Sequence, residues 1–391
     1  MEQRIHAITQ TFNNKLLACD LQEMIVEEDG LMGGRLGLIY YFSTMYRLEK
    51  KEIYLDKIAD LLSTVFANSQ QEHSAIAGNL SFSDGLCGLG FVINDLLKQE
   101  LLEEDFREQL IVINDLALDY SLEMVRQENY DYFYGPTGSL FYLTEVGQLE
   151  YCERILTALF EAASKHNFLF YSQHEDSGNR GFNFGFAHGN PALFKVLLNL
   201  VEKGMKQGKL EQILHKGIAG LLRYKNSQYI AGEDIQISFP HNILIEEGIE
   251  KRLESIVLGW CNSELDMSLL LLKYSELFDK PEYVTVSHEV GIEAARRKTV
   301  SNTGVTDAHF CHGSSGVAQL FKKLFEMSGL TTYGEAYSYW LEKTLGYLEA
   351  ESDEPLTKMN VNFLYGSLAP ILTINESRSS SIAGWDRLFL L

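Results

Sequence analysis

The chain has 391 residues, of which 46% are hydrophobic and 22% charged, with a formal net charge of −21. That balance is ordinary for a folded globular protein, and its negative sign argues against nucleic acid, whose phosphates would be repelled, while tolerating a cationic peptide. No apolar run is long enough to span a bilayer, and five scattered cysteines, an odd number, do not make a disulfide framework.

The start, Met1-Glu2-Gln3-Arg4-Ile5-His6, has no apolar secretory stretch, so the cytoplasm is the expected location. A Gly-x-x-Gly pattern then recurs, each time ahead of an apolar helical run. It stands at Gly34-Arg35-Leu36-Gly37, Gly85-Leu86-Cys87-Gly88 and Gly135-Pro136-Thr137-Gly138. Weaker copies follow at Gly189-Asn190-Pro191-Ala192 and Ser263-Glu264-Leu265-Asp266, and Gly313-Ser314-Ser315-Gly316 and Gly366-Ser367-Leu368-Ala369 close the series. The steps between first positions are 51, 50, 54, 74, 50 and 53 residues. Periods of this length mark stacked or ring-forming supersecondary units, and the long step implies an insertion between the fourth and fifth, near residues 205–255.

Each unit reads as a helix pair. Leu36, Leu38, Ile39, Phe42 and Met45 after Gly34, and Val317, Leu320, Phe321, Leu324 and Phe325 after Gly316, predict inner helices buried from several sides. The glycines at the helix starts are expected to permit left-handed turns and close backbone approach. More charged runs such as Glu103-Glu104-Asp105-Phe106-Arg107-Glu108 suit an outer helix with one solvated face. A chain this long ordinarily divides into two or three domains, yet the period is steady and no linker is visible. One closed, mostly helical ring over residues 1–391 is expected, with a strand-like stretch from Tyr229-Ile230-Ala231 to Ile237-Ser238-Phe239 decorating its rim.

The chemistry follows from phase within the repeat. Cys261 and Cys311 both lie two residues before the first position, and His312 and His188 one before. Tyr134 and Asp84 share the phase of the histidines, and Asp131 lies four before. In a ring, equivalent positions converge on one mouth. Two thiolates and an imidazole, Cys261, Cys311 and His312, form a donor set that zinc favours, and three protein ligands leave a fourth position open for a substrate.

These motifs carry a family resemblance. Gly259-Trp260-Cys261, Cys311-His312-Gly313 and Ala187-His188-Gly189, each at its place on the repeat, resemble the lanthionine synthetase C-like (LanC) cyclases, and Tyr130-Asp131-Tyr132-Phe133-Tyr134-Gly135 looks like that family's aspartate motif. The resemblance implies an all-α fold, an α/α toroid of seven inner and seven outer helices. It implies one zinc ion, held by Cys261, Cys311 and His312. The implied reaction is the addition of a peptide cysteine thiol to dehydroalanine or dehydrobutyrine of the same dehydrated precursor peptide, giving lanthionine or methyllanthionine. His188 would be the acid/base group and Asp131 would tune it. A dehydratase and an exporter are further implied partners, through which alone the chain would meet a membrane.

The sequence also departs from the family. The arginine of nisin-type cyclases four residues before the first zinc cysteine is Val257 here, the tyrosine after that cysteine is Asn262, and the usual glycines are Ser263 and Asp266. Arg252 is a candidate replacement cation for developing enolate charge. Plainer readings stand beside the functional ones: a helix cap for Asp131, packing for Cys87, and an exposed loop at His174-Glu175-Asp176; His309, two residues before Cys311, is excluded as a competing ligand by the repeat phase. Two alternative functions stay open, addition of glutathione or another small thiol to dehydroamino acids, and a zinc-containing peptide-binding scaffold without catalysis.

Overall fold

The computed structural model of the chain describes residues 1–25, 28–71, 74–173, 180–226, 228–230 and 235–391. His174, Glu175, Asp176 and Ala231 lie outside the described residues.

Seven inner helices follow the seven repeat motifs: Arg35–Glu49, Leu86–Lys98, Pro136–Glu145, Asn190–Glu202, Glu264–Phe278, Ser314–Ser328 and Leu368–Glu376. Each packs on the next, and the last returns to the first, which closes the ring. Their burial on nearly every face matches the unbroken apolar runs of the sequence. Outer helices Ile53–Ser69, Arg107–Arg126, Leu149–Lys165, Gly208–Leu222, Pro281–Arg296 and Thr331–Ala350 cover the first six. The seventh cover comes from the other end of the chain. Helix Glu2–Ala18 packs on Thr331–Ala350 and Leu368–Glu376, and Thr9 Oγ1 accepts a 2.8 Å hydrogen bond from Asn375 Nδ2. The N-terminal helix thus completes the final pair, and the fold is an α/α toroid.

The glycines serve one of the two expected ends. Gly34 has φ −128° and ψ −158°, an extended conformation open to any residue. Close approach is what excludes a side chain: a Cβ on Gly34 would lie 2.5 Å from the Glu28 carbonyl oxygen, and one on Gly37 2.5 Å from that of Leu31. In the fifth unit Ser263 and Asp266 replace the glycines; Asp266 Oδ2 accepts from Ser263 N–H at 3.1 Å, and Asp266 N–H donates to the Ser263 carbonyl at 3.1 Å.

Among the described residues, strands are confined to the rim. β1 (Ser172–Gln173), β2 (Arg180–Asn183), β3 (Gln228–Ile230), β4 (Ile235–Ile237), β5 (Asn242–Glu246) and β6 (Ile249–Leu253) form an antiparallel four-stranded sheet, β1-β2-β5-β6, and a β3-β4 hairpin. Of the span 205–255, Gly208–Leu222 is the fourth outer helix, and β3 to β6 lie beyond it. Glu264 bolts them to the ring, accepting from the Ser238 and Phe239 N–H groups while Arg297 Nη2 donates to it at 3.0 Å.

The axis of the ring is filled by the C-terminal turn Trp385–Phe389. Its carbonyls accept from Tyr40 (onto Trp385, 2.8 Å), Tyr132 (onto Leu388, 2.8 Å) and Trp260 (onto Phe389, 2.6 Å). Phe389 stacks on Phe310 with centroids 4.0 Å apart. No helix among the described residues is long and apolar enough to cross a membrane.

Candidate functional site

The loops that precede the inner helices are laced together at one mouth of the toroid. Ala187 N–H donates to Cys261 O at 3.0 Å, Cys261 N–H to Cys311 O at 3.0 Å, and Cys311 N–H to Leu364 O at 3.0 Å. Phe363 N–H donates to Met32 O at 2.8 Å, and the ladder continues from Leu31 to Ser83 and from Phe82 to Phe133. Among the described residues these bonds register six of the seven junctions, all but that between the third and fourth units, which the contact of Asp131 with His188 spans. That arrangement is why residues as far apart in sequence as Asp131 and Tyr365 share one site.

Cys261, Cys311 and His312 meet there, with their ligand atoms all within 4.8 Å of one another. They sit on the loops before two neighbouring inner helices rather than on the helices themselves. Gly259 allows this approach, since a Cβ on it would stand 2.8 Å from Cys311 O. The hydrogen bond between the sulfurs pulls the Cys311 thiol below its ordinary value, while Cys311 and then burial push Cys261 well above. Contact with Cys261 raises His312. His309 takes no part; its Nδ1 lies 3.3 Å from Asp307. Cys87 is fully buried in an inner helix, and Cys152 lies 3.8 Å from Thr144 Oγ1 with burial raising its thiol to about 11.

Asp131 and His188 form a second group at the same mouth. His188 Nδ1 lies 2.5 Å from Asp131 Oδ2. The other carboxylate oxygen accepts from Phe133 N–H at 2.7 Å and Tyr134 N–H at 2.9 Å. One oxygen of Asp131 is thus a cap and the other faces the histidine. The equivalent residue of the seventh unit, Asn362, makes the same two caps, to Leu364 and Tyr365 at 2.7 and 2.9 Å.

The phase argument extends to a residue not singled out from the sequence. Tyr365, one position before Gly366, lies with its hydroxyl 3.7 Å from Cys311 Sγ and its ring 5.7 Å from that of His312. Burial, then the nearby Cys311 charge, raise its phenol. Tyr365, Tyr134, Asp131 and His188 line one cavity of about 670 Å³. Tyr134 is engaged with Asp84. Below this rim runs an apolar layer one residue earlier in phase than the cysteines: Phe82, Tyr132, Phe186, Trp260, Phe310 and Phe363. Its aromatic recurrence is itself a sequence signal of the ring.

Arg252 does not replace the family arginine. It lies on β6, bonded to Glu254 and to the Tyr224 carbonyl, because the strand directs it into the rim. No lysine or arginine is among the described residues lining the cavity.

The sequence matches the family described as lanthionine synthetase C-like protein over residues 25–360. The chain belongs to that family. A solved structure named nisin cyclase shares the LanC-like toroid, with a TM-score of 0.78 and 18% sequence identity, over 100% of this chain and 97% of that one.

Proposed function

We propose that this LanC-like protein is a zinc-dependent thioether cyclase acting on a dehydrated precursor peptide. The observation that carries the reading is the pairing, at one mouth, of a Cys-Cys-His cluster with a histidine–carboxylate pair. The donor set fits zinc. Ligands on one tetrahedral zinc stand roughly 3.5–4 Å apart, so a cluster already within 4.8 Å needs only a small contraction. Bound by Cys261, Cys311 and His312, zinc would lower the pKa of an incoming thiol and keep it nucleophilic.

The remaining work falls to the chain's own groups. The thiol S–H adds across the C=C bond of the dehydro residue: sulfur bonds to Cβ, and a proton must reach Cα. Asp131 holds the His188 ring through Nδ1, and imidazole suits proton transfer in both directions near neutral pH. Charge building on the dehydro residue's carbonyl oxygen needs a donor. With Val257 and Arg252 supplying none, the Tyr365 hydroxyl beside the cluster, which accepts from Cys311 Sγ–H at 3.7 Å, is the neutral group that would turn to donate. The same reading expects the protein in the cytoplasm and requires a prior dehydration of serine or threonine.

The absence of cations from the described cavity lining favours the peptide-binding scaffold as the second reading. Zinc-loaded protein incubated with a dehydrated, cysteine-containing precursor separates the two. Cyclisation removes free thiols at unchanged peptide mass. Mass gain with glutathione indicates small-thiol addition instead, and peptide binding with every thiol intact defeats catalysis.

A further inference from the structure

An aromatic residue precedes each cysteine of the cluster: Trp260 before Cys261 and Phe310 before Cys311. Both rings are fully buried, and both rest on one further buried ring, Phe389 of the C-terminal turn. Phe310 stacks on it with centroids 4.0 Å and planes 22° apart. Trp260 meets it edge-on at 5.0 Å, and the Trp260 indole N–H donates to the Phe389 carbonyl at 2.6 Å. The two loops thus share one floor, in addition to the bond from Cys261 N–H to Cys311 O.

That floor is anchored without help from the cysteines. Trp385 O accepts from Tyr40 of the first inner helix, and Leu388 O from Tyr132, just before the third, both at 2.8 Å. Asp386 accepts from Gln319 at 2.8 Å and pairs with Lys323 at 2.9 Å, both on the sixth inner helix. Trp385 Nε1 donates to Glu376 of the seventh at 3.0 Å, and Arg387 pairs with Asp95 of the second. A turn held from so many sides is a fixed datum for the loops that lie on it. A close-packed interior transmits the displacement of one ring to its neighbours, and coordination tolerates only about 0.2 Å in each ligand distance. The ring under Trp260 and Phe310 therefore governs where the two sulfurs stand relative to each other.

We propose that Phe389 is a positioning residue for the thiol cluster: it holds the loops of Cys261 and Cys311 at the separation at which both sulfurs bind one metal ion. The proposal takes its metal from the zinc reading, and a metal-free probe of the same two sulfurs keeps the two separable. Phenylarsine oxide is that probe. Its arsenic forms two As–S bonds with a close pair of thiols, and the two thiol protons leave with its oxygen as water.

Phe389→Leu keeps the position apolar and removes the stacking surface; Trp260→Phe keeps a ring and removes the N–H donor. Zinc affinity, read by competition with a chelating indicator, should fall about tenfold to a hundredfold in Phe389→Leu, the usual effect of disturbing what orients a metal ligand. It should fall about threefold to tenfold in Trp260→Phe. Affinity for the arsenical should fall in the same order, and Cys311→Ala should abolish it. Leu159→Ala is the control: it removes a fully buried side chain from the outer helix Leu149–Lys165, and lost stability there should leave the affinities of the folded protein unchanged. Parent affinities in Phe389→Leu, or an equal fall in Leu159→Ala, overturn the proposal. Trp260→Phe decides alone if Phe389→Leu does not fold. Parent protein that takes up the arsenical in a Phe389-dependent way, yet holds no zinc, defeats the zinc reading and keeps the positioning role. Parent protein that binds neither defeats both.

Discussion

Asp131 offers the sharpest perturbation, because its two oxygens do different things. Oδ1 caps two backbone N–H groups of its own loop, while Oδ2 faces His188. Asparagine keeps the first oxygen and replaces the second by an N–H₂ donor; alanine removes both. Asn362 makes the same caps in the seventh unit, which shows that the loop accepts an amide. Asp131→Asn should therefore lose only the pairing with the half-exposed His188, less than about 1 kcal/mol. Asp131→Ala should lose the caps as well, a further ~1–2 kcal/mol, and Asn362→Ala should lose about that amount by itself. Activity should follow the other oxygen. Both Asp131 variants should slow cyclisation by roughly 10²–10⁴, the usual worth of a positioned acid/base group. Denaturant midpoints and single-turnover thiol loss, measured on the three variants, give both quantities. An Asp131→Asn protein as unstable as Asp131→Ala, or one that cyclises at the parent rate, would refute the division of labour between the oxygens.

Three further outcomes are expected. Cys311→Ala, which removes one of the three clustered ligand atoms, should abolish stoichiometric zinc on dialysis and metal analysis; retention of one zinc per chain defeats the ligand assignment. Phe389→Ala removes a fully buried ring stacked 4.0 Å from Phe310 and should cost about 3–5 kcal/mol in denaturant unfolding. Lys195, on the fourth inner helix, is pushed by burial from 10.5 down to about 8. The folded state then binds fewer protons than the unfolded chain between those values, so stability rises with pH across that window. Lys195→Met should flatten the rise and stabilise the protein at pH 7 by on the order of 1–3 kcal/mol; equal slopes for parent and variant would remove the argument.

The residues legible in the sequence are those whose position is set by a local turn. The same loop precedes each inner helix, so a shared phase is enough to bring Cys261, Cys311, His312, His188 and Asp131 to one mouth. Tyr365 was legible on the same ground, being in phase with Tyr134. Contacts between distant segments leave no such local mark. Helix Glu2–Ala18 resembles any other outer helix, and nothing local says that it completes the last pair. Trp385–Phe389 belongs to no repeat, although three hydroxyl or indole groups of the ring bind its carbonyls. Arg252 was a candidate for its charge and sequence position, and strand direction placed it elsewhere.

The departures from the family pattern cluster in the fifth unit, and the structure gives them a common use. Asn262, in place of the usual tyrosine, donates from Nδ2 to His241 O at 3.2 Å, which ties the loop of Cys261 to the start of β5. Asp266, in place of a glycine, accepts from Ser263 N–H at 3.1 Å and reaches across to Phe186 N–H at 3.2 Å, two residues before His188. Burial, the main cause, pushes its carboxyl well above the ordinary range, and a buried group of that kind is retained only where its bonds are needed. The loop of Cys261 is thereby fastened on one side to β5 and on the other to the loop that presents His188. Positions that carry a tyrosine and a glycine in nisin-type cyclases here hold the rim sheet and the His188 loop in register with the thiol cluster. The Tyr365 hydroxyl, 3.7 Å from Cys311 Sγ, reaches the cluster from the opposite neighbour in the ring.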